Sequence, residues 1–124
     1  MTDLAALLGR LLLSAIFIQA GYHKLIGVAA ATGYIAKLGL PVPHVTVWLT
    51  IAVELGCGLA VLVGFRARWA ALVLAAFCVA SGLAAHYHPE DSGQMIHFMK
   101  NLAIAGGFLQ LAAFGPGRFA ISRR

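Results

Sequence analysis

Four long apolar runs alternate with shorter polar stretches along the chain, over about residues 4–22, 45–64, 69–85 and 95–114. Each approaches the roughly 20 residues that a helix needs to cross a ~30 Å hydrocarbon core. The fourth opens with His97, Lys100 and Asn101 in its first turns. Only Phe65-Arg66-Ala67-Arg68 joins the second run to the third, so those two spans are antiparallel neighbours. The first connection, Gly21 to His44, is less polar than a solvated linker. In it Val28-Ala29-Ala30-Ala31 and Tyr34-Ile35-Ala36 predict a short amphipathic helix at the interface. Gly39-Leu40-Pro41-Val42-Pro43 ends that helix, because proline drives the residue before it to extended backbone. The pattern predicts an all-α, polytopic membrane protein. Its architecture is a single domain over residues 1–124, a four-transmembrane-helix bundle with a short interfacial helix in the first outer loop.

Composition agrees with that reading. Apolar residues make up 61% of the chain and charged residues 10%, far below the quarter or so of a soluble domain, so lipid has to cover the remaining apolar surface. The first run is read as a retained helix rather than a signal peptide: Asp3 stands where lysines would, Arg10 interrupts the apolar stretch, and no small-x-small site precedes Lys24. Small residues recur at spacing four in Ala52, Gly56 and Ala60, in Ala76, Ala80 and Ala84, and in Ala103 and Gly107. Such stripes predict close helix packing.

The formal charge of +5 would suggest nucleic acid in a soluble protein, but these basic residues sit at segment ends, and no nucleic acid is expected. With four spans, Arg66, Arg68, Arg118, Arg123 and Arg124 share one side, with Arg10 close by. Lys24, Lys37 and Lys100 share the other. The positive-inside bias puts the arginine side and both termini of this multi-pass chain in the cytoplasm. All five histidines then fall at the outer end: His23, His44, His86, His88 and His97. Imidazoles there suit metal, protons or head groups, and are equally at home at any interface. His86-Tyr87-His88 is too short for a metal signature, and no metal site is assigned.

Glu54 lies about ten residues into the second span, near mid-membrane. A carboxylate at that depth costs about 2.5–3.5 kcal/mol on insertion scales, so it faces the bundle and needs a partner. It is either half of a buried structural pair or the floor of a polar pocket. Cα–Cβ bonds tilt toward a helix N-terminus, so Lys24 leans inward and Glu54 outward. Their Cα heights differ by ~13 Å at 1.5 Å per residue, a gap that the two side chains largely close. His97, Lys100 and Asn101 approach from the same side. The expected ligand-binding set is therefore Lys24, Glu54, His86, His97, Lys100 and Asn101, with no catalytic residue assigned. Arg10 is read as snorkelling to the cytoplasmic face, and its pairing with Glu54 from below competes with Lys24. Cys57, at i+3 from Glu54, and Cys78 lie in apolar runs without a CxxC, as small hydrophobes do.

Taken in order, Arg10, Gly21-x-x-Lys24, Gly39-Leu40-Pro41, Glu54 with Gly56-x-Gly58 and Gly64, Arg68, His86 and Gly115-Pro116-Gly117-Arg118 resemble the DoxX family over nearly the whole chain. Phe98-Met99-Lys100-Asn101-Leu102 is similar to the opening of the fourth helix in one branch of it. The resemblance implies a small four-helix protein of the bacterial cytoplasmic membrane. It also implies a link to a thiosulfate:quinone oxidoreductase, from which the family takes its name, and to thiol or oxidative-stress systems. The architecture is similar to that of quinone-linked thiol oxidoreductases, whose paired CxxC cysteines this chain lacks.

The leading expectation is a membrane subunit that binds a quinone or another lipidic small molecule for a redox protein partner, as part of a quinone-linked oxidoreductase. No flavin, haem or nicotinamide motif is present, so electrons would come from that partner. Two other readings stay open: a non-catalytic assembly or scaffold protein, and a small-solute or metal carrier that works as a homo-oligomer. The topology has a direct check. Cysteine probes placed near Gly33 and Ser92 should react with an impermeant reagent from outside the cell, and probes near Ala67 and Ser122 should not. Labelling near Ala67 would reverse the orientation.

Overall fold

The computed structural model describes residues 2–85, 87 and 89–121, and every regular element among them is helical. Helix α1 runs Thr2–Ile26, α2 Val28–Lys37 and α3 Pro43–Ile51. A π-helical turn, Ala52–Cys57, carries α3 without a break into α4, Gly58–Val63, so that one 21-residue rod spans Pro43–Val63. Helix α5 is Ala67–Ala85 and α6 is Ser92–Phe114. Three of these rods are long and apolar enough to cross a membrane: Thr2–Ile26, Pro43–Val63 and Ala67–Ala85. At 23 residues α6 has the length to cross as well, but it carries His97, Lys100 and Asn101 in its first turns.

The helix limits have local causes. Pro43 begins α3 at the first-turn position where its missing N–H costs nothing. Asp91 begins α6, its Oδ1 accepting from the N–H groups of Gly93 at 2.9 Å and Gln94 at 3.2 Å, so α6 starts three residues before the expected Met95. Helix α1 runs four residues past the expected Tyr22, which places Lys24 inside its last turn rather than beyond its end. A one-residue break at Gly27 then turns the chain into α2.

Helices α5 and α6 lie antiparallel along most of their lengths and form the most extensive pair, while α1 packs on the Pro43–Val63 rod. The core is shared among all four long helices: Phe17, Val61, Leu74, Cys78, Phe108 and Leu111 are buried together with small alanines. Phe17 meets Phe77 and Phe108 edge to face, with ring centroids 6.3 Å and 5.5 Å away. A second cluster, Ile35 with Val47 and Ile51, fastens α2 onto α3. Outside these clusters large apolar side chains face outward, with Leu12 77% and Leu49 61% exposed, as only a lipid-embedded surface tolerates.

The small-residue stripes do not make the packing faces. Ala52, Gly56, Ala76, Ala80, Ala84 and Ala103 are exposed, and only Ala60 and Gly107 reach into contacts. Close approach occurs at Gly107 and, outside the stripes, at Gly21, Gly58 and Gly82, each pressed against a side chain of a neighbouring helix. A spacing of four marks one helix face but does not say which face meets a neighbour.

At the end that carries the termini, one side chain organises the closure. The Pro43–Val63 rod stops at Gly64, whose φ of 76° suits glycine. Gly64 N–H donates to Val61 O at 3.3 Å and Phe65 N–H to Ala60 O at 2.9 Å. The carbonyls of this last turn keep lone pairs that no water can reach in lipid. Arg10 Nη1 donates to Val61 O and Leu62 O, at 3.3 Å each, and Nη2 donates to Phe119 O. Ile121 N–H donates to Val63 O at 3.0 Å, and Asp3 Oδ1 accepts from Arg118 N–H at 3.0 Å. Arg10 is 1% exposed, so it neither snorkels nor pairs with Glu54: the unpaired carbonyls of a neighbouring helix end lie nearer than the head groups. Arg10→Lys, which cannot fork between carbonyls, and Gly64→Ala, whose Cβ would lie 2.5 Å from Arg10 Nη1, should each lower stability. A loss of about 1–3 kcal/mol is expected for each, read as an earlier thermal transition in detergent.

Candidate functional site

Thr46, Thr50 and Glu54 follow one another at spacing four along α3 and the π turn, and so present one polar stripe. The π turn centres on Glu54, and such widened turns recur at functional sites. Gly21 of α1 lies against this point. A Cβ on it would stand 2.7 Å from Leu55 Cγ and 3.2 Å from Glu54 Cβ, so only glycine lets the two helices come this close. Glu54 is therefore level with Gly21, one turn from Lys24, and the height difference to Lys24 is about 4.5 Å rather than ~13 Å. Lys24 Nζ meets Glu54 Oε1 at 2.8 Å. Glu54 is 4% exposed, while the lysine side chain keeps 29% of its surface open. Among the described residues no partner other than Lys24 reaches the Glu54 carboxylate.

The pair borders a cavity of about 410 Å³ between α1 and α3 on one side and α5 and α6 on the other. The cavity exists because α3 does not approach α5: the halves of the bundle join through α4, the π turn and the contact of α1 with α6, and part toward the Lys24 end. Tyr34, Ile35 and Leu38 of α2 line it as a lid, and most of the remaining wall is apolar, including Ile16, Phe17, Phe77 and Ile104. On the far wall Asn101 Nδ2 donates to Cys78 O at 3.2 Å and to Ser81 Oγ at 3.3 Å. Gly82 makes this reach feasible, since a Cβ there would come within 3.3 Å of Asn101 Cβ.

Of the residues expected to form a pocket, Lys24, Glu54 and Asn101 converge on this cavity. Lys100 does not: it is exposed on another face of α6, beside Met95, Ile96, Met99 and Ala103, because the 100° step from Asn101 turns it away. His97 is exposed and does not line the cavity. His86 and His88 lie outside the described residues. His23 and His44 are exposed, and no three potential metal ligands group together among the described residues. Cys57 and Cys78 are free thiols, and Cys78 lines the cavity. Thr46, Thr50, Ser81 and Tyr34 were not among the expected residues. The period-four stripe Thr46-Thr50-Glu54 was the signal that could have found the first two.

Comparison with known proteins bears on the same segment. The DoxX family model matches residues 5–87, from α1 to the end of α5, taking in both Lys24 and Glu54. The chain belongs to the DoxX family. Among relatives of this DoxX protein, the inner membrane protein YqjF of Escherichia coli (strain K12) is 40% identical over 121 residues, covering 98% of this chain and 92% of that one. The inner membrane protein YphA of the same organism is 31% identical over 123 residues, covering 95% of this chain and 88% of its own. No solved structure matches. With its apolar helices and these relatives, the chain is a bacterial inner-membrane protein.

The Lys24–Glu54 pair makes a quantitative expectation. Lys24→Met or Glu54→Leu alone leaves the other charge without its partner in an apolar wall and should cost about 2–4 kcal/mol. The double variant should be more stable than the Lys24→Met single, measured by thermal unfolding of the detergent-solubilised chain. Strict additivity of the two losses would mean that the charges do not depend on one another.

Proposed function

We propose that this DoxX protein is a four-span membrane subunit whose cavity binds a lipidic small molecule with a polar ring, of the quinone class, on behalf of a redox protein partner. The observation that carries the reading is the Lys24–Glu54 pair at the edge of a mainly apolar 410 Å³ cavity. An apolar wall with a few convergent polar groups is the ordinary composition of a small-molecule site. An ion pair within a membrane span is a functional hypothesis by default. The parting of the helices at the Lys24 end supports entry of an apolar molecule from the bilayer. The reading takes α6 as the fourth crossing, because it runs antiparallel along α5 over 23 residues. It puts both termini in the cytoplasm, where Arg66, Arg68 and Arg118 satisfy the positive-inside bias.

One observation favours a second reading, an assembly protein for another membrane protein. Ala52 and Gly56 on the Pro43–Val63 rod, and Ala76 on α5, are exposed and do not line the cavity, leaving small-residue positions of the kind that admit a neighbouring helix. Mass spectrometry of organic extracts of the purified protein separates the two. A co-purifying isoprenoid or aromatic lipid in the wild type supports the cavity reading. Glu54→Gln keeps the shape of the side chain and removes its charge, so it should retain the fold and lose most of that ligand. A stoichiometric protein partner with no extractable ligand would favour assembly.

A further inference from the structure

The hydrogen-bond directions around the cavity are fixed, because a backbone carbonyl can only accept. Thr50 Oγ1 lies 2.9 Å from Thr46 O and Thr46 Oγ1 lies 2.7 Å from Pro41 O, so both threonine hydroxyls donate their single hydrogen to backbone. On the opposite wall Ser81 Oγ donates to Cys78 O at 3.3 Å. Asn101 Nδ2 donates to the same carbonyl at 3.2 Å and to Ser81 Oγ at 3.3 Å, which sets the amide and leaves Oδ1 as its unused atom. What these four side chains still offer is lone pairs. Glu54, with Lys24 at Oε1, offers the lone pairs of Oε2. Against this set, the strong donors lining the cavity are the Lys24 ammonium and the Tyr34 hydroxyl on the lid. The walls are thus rich in acceptors and poor in donors.

We infer that the cavity selects a ligand that donates hydrogen bonds, a hydroxyl-bearing aromatic ring of the phenol or hydroquinone kind, over the carbonyl-bearing or methylated ring of the same shape. This rests on the reading of the cavity as a lipidic ligand site and names the chemistry that site takes. A hydroxyl beside the ion pair accepts from Lys24 and donates to Glu54, so it satisfies both partners with one atom. A carbonyl there answers Lys24 alone and brings a second set of lone pairs toward the carboxylate. On the far wall the contrast is sharper: a hydroxyl can donate to Asn101 Oδ1 or Ser81 Oγ, whereas a carbonyl sets oxygen against oxygen. Desolvating an acceptor without giving it a donor is the costly outcome in a site of this kind. The reduced form of a two-electron ring carrier would accordingly be held more tightly than its oxidised form.

The test uses three probes of matched shape that undergo no redox change under the conditions of binding: para-hexylphenol, para-hexylanisole and para-hexylacetophenone. Each is measured against the full-length protein by equilibrium dialysis at one detergent concentration, with protein-free micelles as the blank. The phenol should bind at least about ten-fold more tightly than either of the others, the equivalent of ~1.4 kcal/mol. Thr50→Val and Ser81→Ala each remove one acceptor with little change of volume, and at least one of them should narrow that preference several-fold. Equal saturable binding of all three probes, or tighter binding of the acetophenone, would overturn the donor rule and leave the cavity as an apolar ligand site. A phenol preference untouched by both variants would overturn the assignment to these walls. If none of the three binds saturably, the ligand-site reading falls and the inference with it.

Discussion

Glu54 stands in the middle of a helix whose other neighbours are apolar, where lipid cannot solvate a carboxylate and a cation has to be brought to it. Much of the Lys24 half of the bundle follows from that demand. Helix α1 continues to Ile26, which keeps Lys24 on a rigid turn within reach, and Gly21 brings the two helix backbones together one turn below. The 2.8 Å contact closes the space between α1 and the π turn, and α2, folding back at Gly27, seats Ile35 over Val47 and Ile51. With α1, α2 and α3 drawn together on one side and α5 locked to α6 on the other, the space between the halves remains open as the cavity.

The opposite end meets the same shortage of solvent with a different residue. There the groups without partners are backbone carbonyls at the end of the Pro43–Val63 rod, and Arg10 supplies the donors. Its planar fork reaches carbonyls on the rod and on the returning C-terminal segment at once, which an ammonium could not do. The two buried charges differ in what surrounds them. Both terminal nitrogens of Arg10 are engaged by the protein's own backbone, so it acts as a structural clasp, with its Nε buried and without a hydrogen bond among the described residues. The carboxylate of Glu54 has Lys24 at Oε1 and no other partner among the described residues. Of the two, Glu54 alone borders the 410 Å³ cavity.

The sequence made much of this legible. Hydropathy located the helices to within a few residues, because the length of an apolar run in a membrane chain is set by the thickness of the bilayer. A short helix was visible between Gly27 and the prolines, where α2 forms. The attraction of Lys24 to Glu54 followed from charge, depth and side-chain tilt, although the distance was overestimated because α1 was ended too early. Asp91 carried an N-cap signal that would have placed the start of α6 correctly. The misjudged residues were those whose roles depend on azimuth. Lys100 and Asn101 are adjacent in sequence, yet one faces outward and the other joins α5 to α6. Ala52 and Gly56 keep the spacing of a packing stripe and are exposed all the same, while Ala80 and Ala84 line the cavity.

By itself, then, the sequence determined that the chain is helical, that it lives in lipid, and that one acid within it requires a cation. These follow from local composition and from the solvent, and need no knowledge of neighbours. Only the tertiary structure decided which helix faces meet and where the bundle parts. It also decided that Arg10 caps carbonyls instead of snorkelling, and which lone pairs around the cavity are left without hydrogens. The reason is physical: in lipid, helices are not sorted by hydrophobicity, because every face is about as apolar as the tails around it. Rotation about each axis is settled by a few close glycine contacts and a handful of polar bonds, each linking residues far apart in the chain.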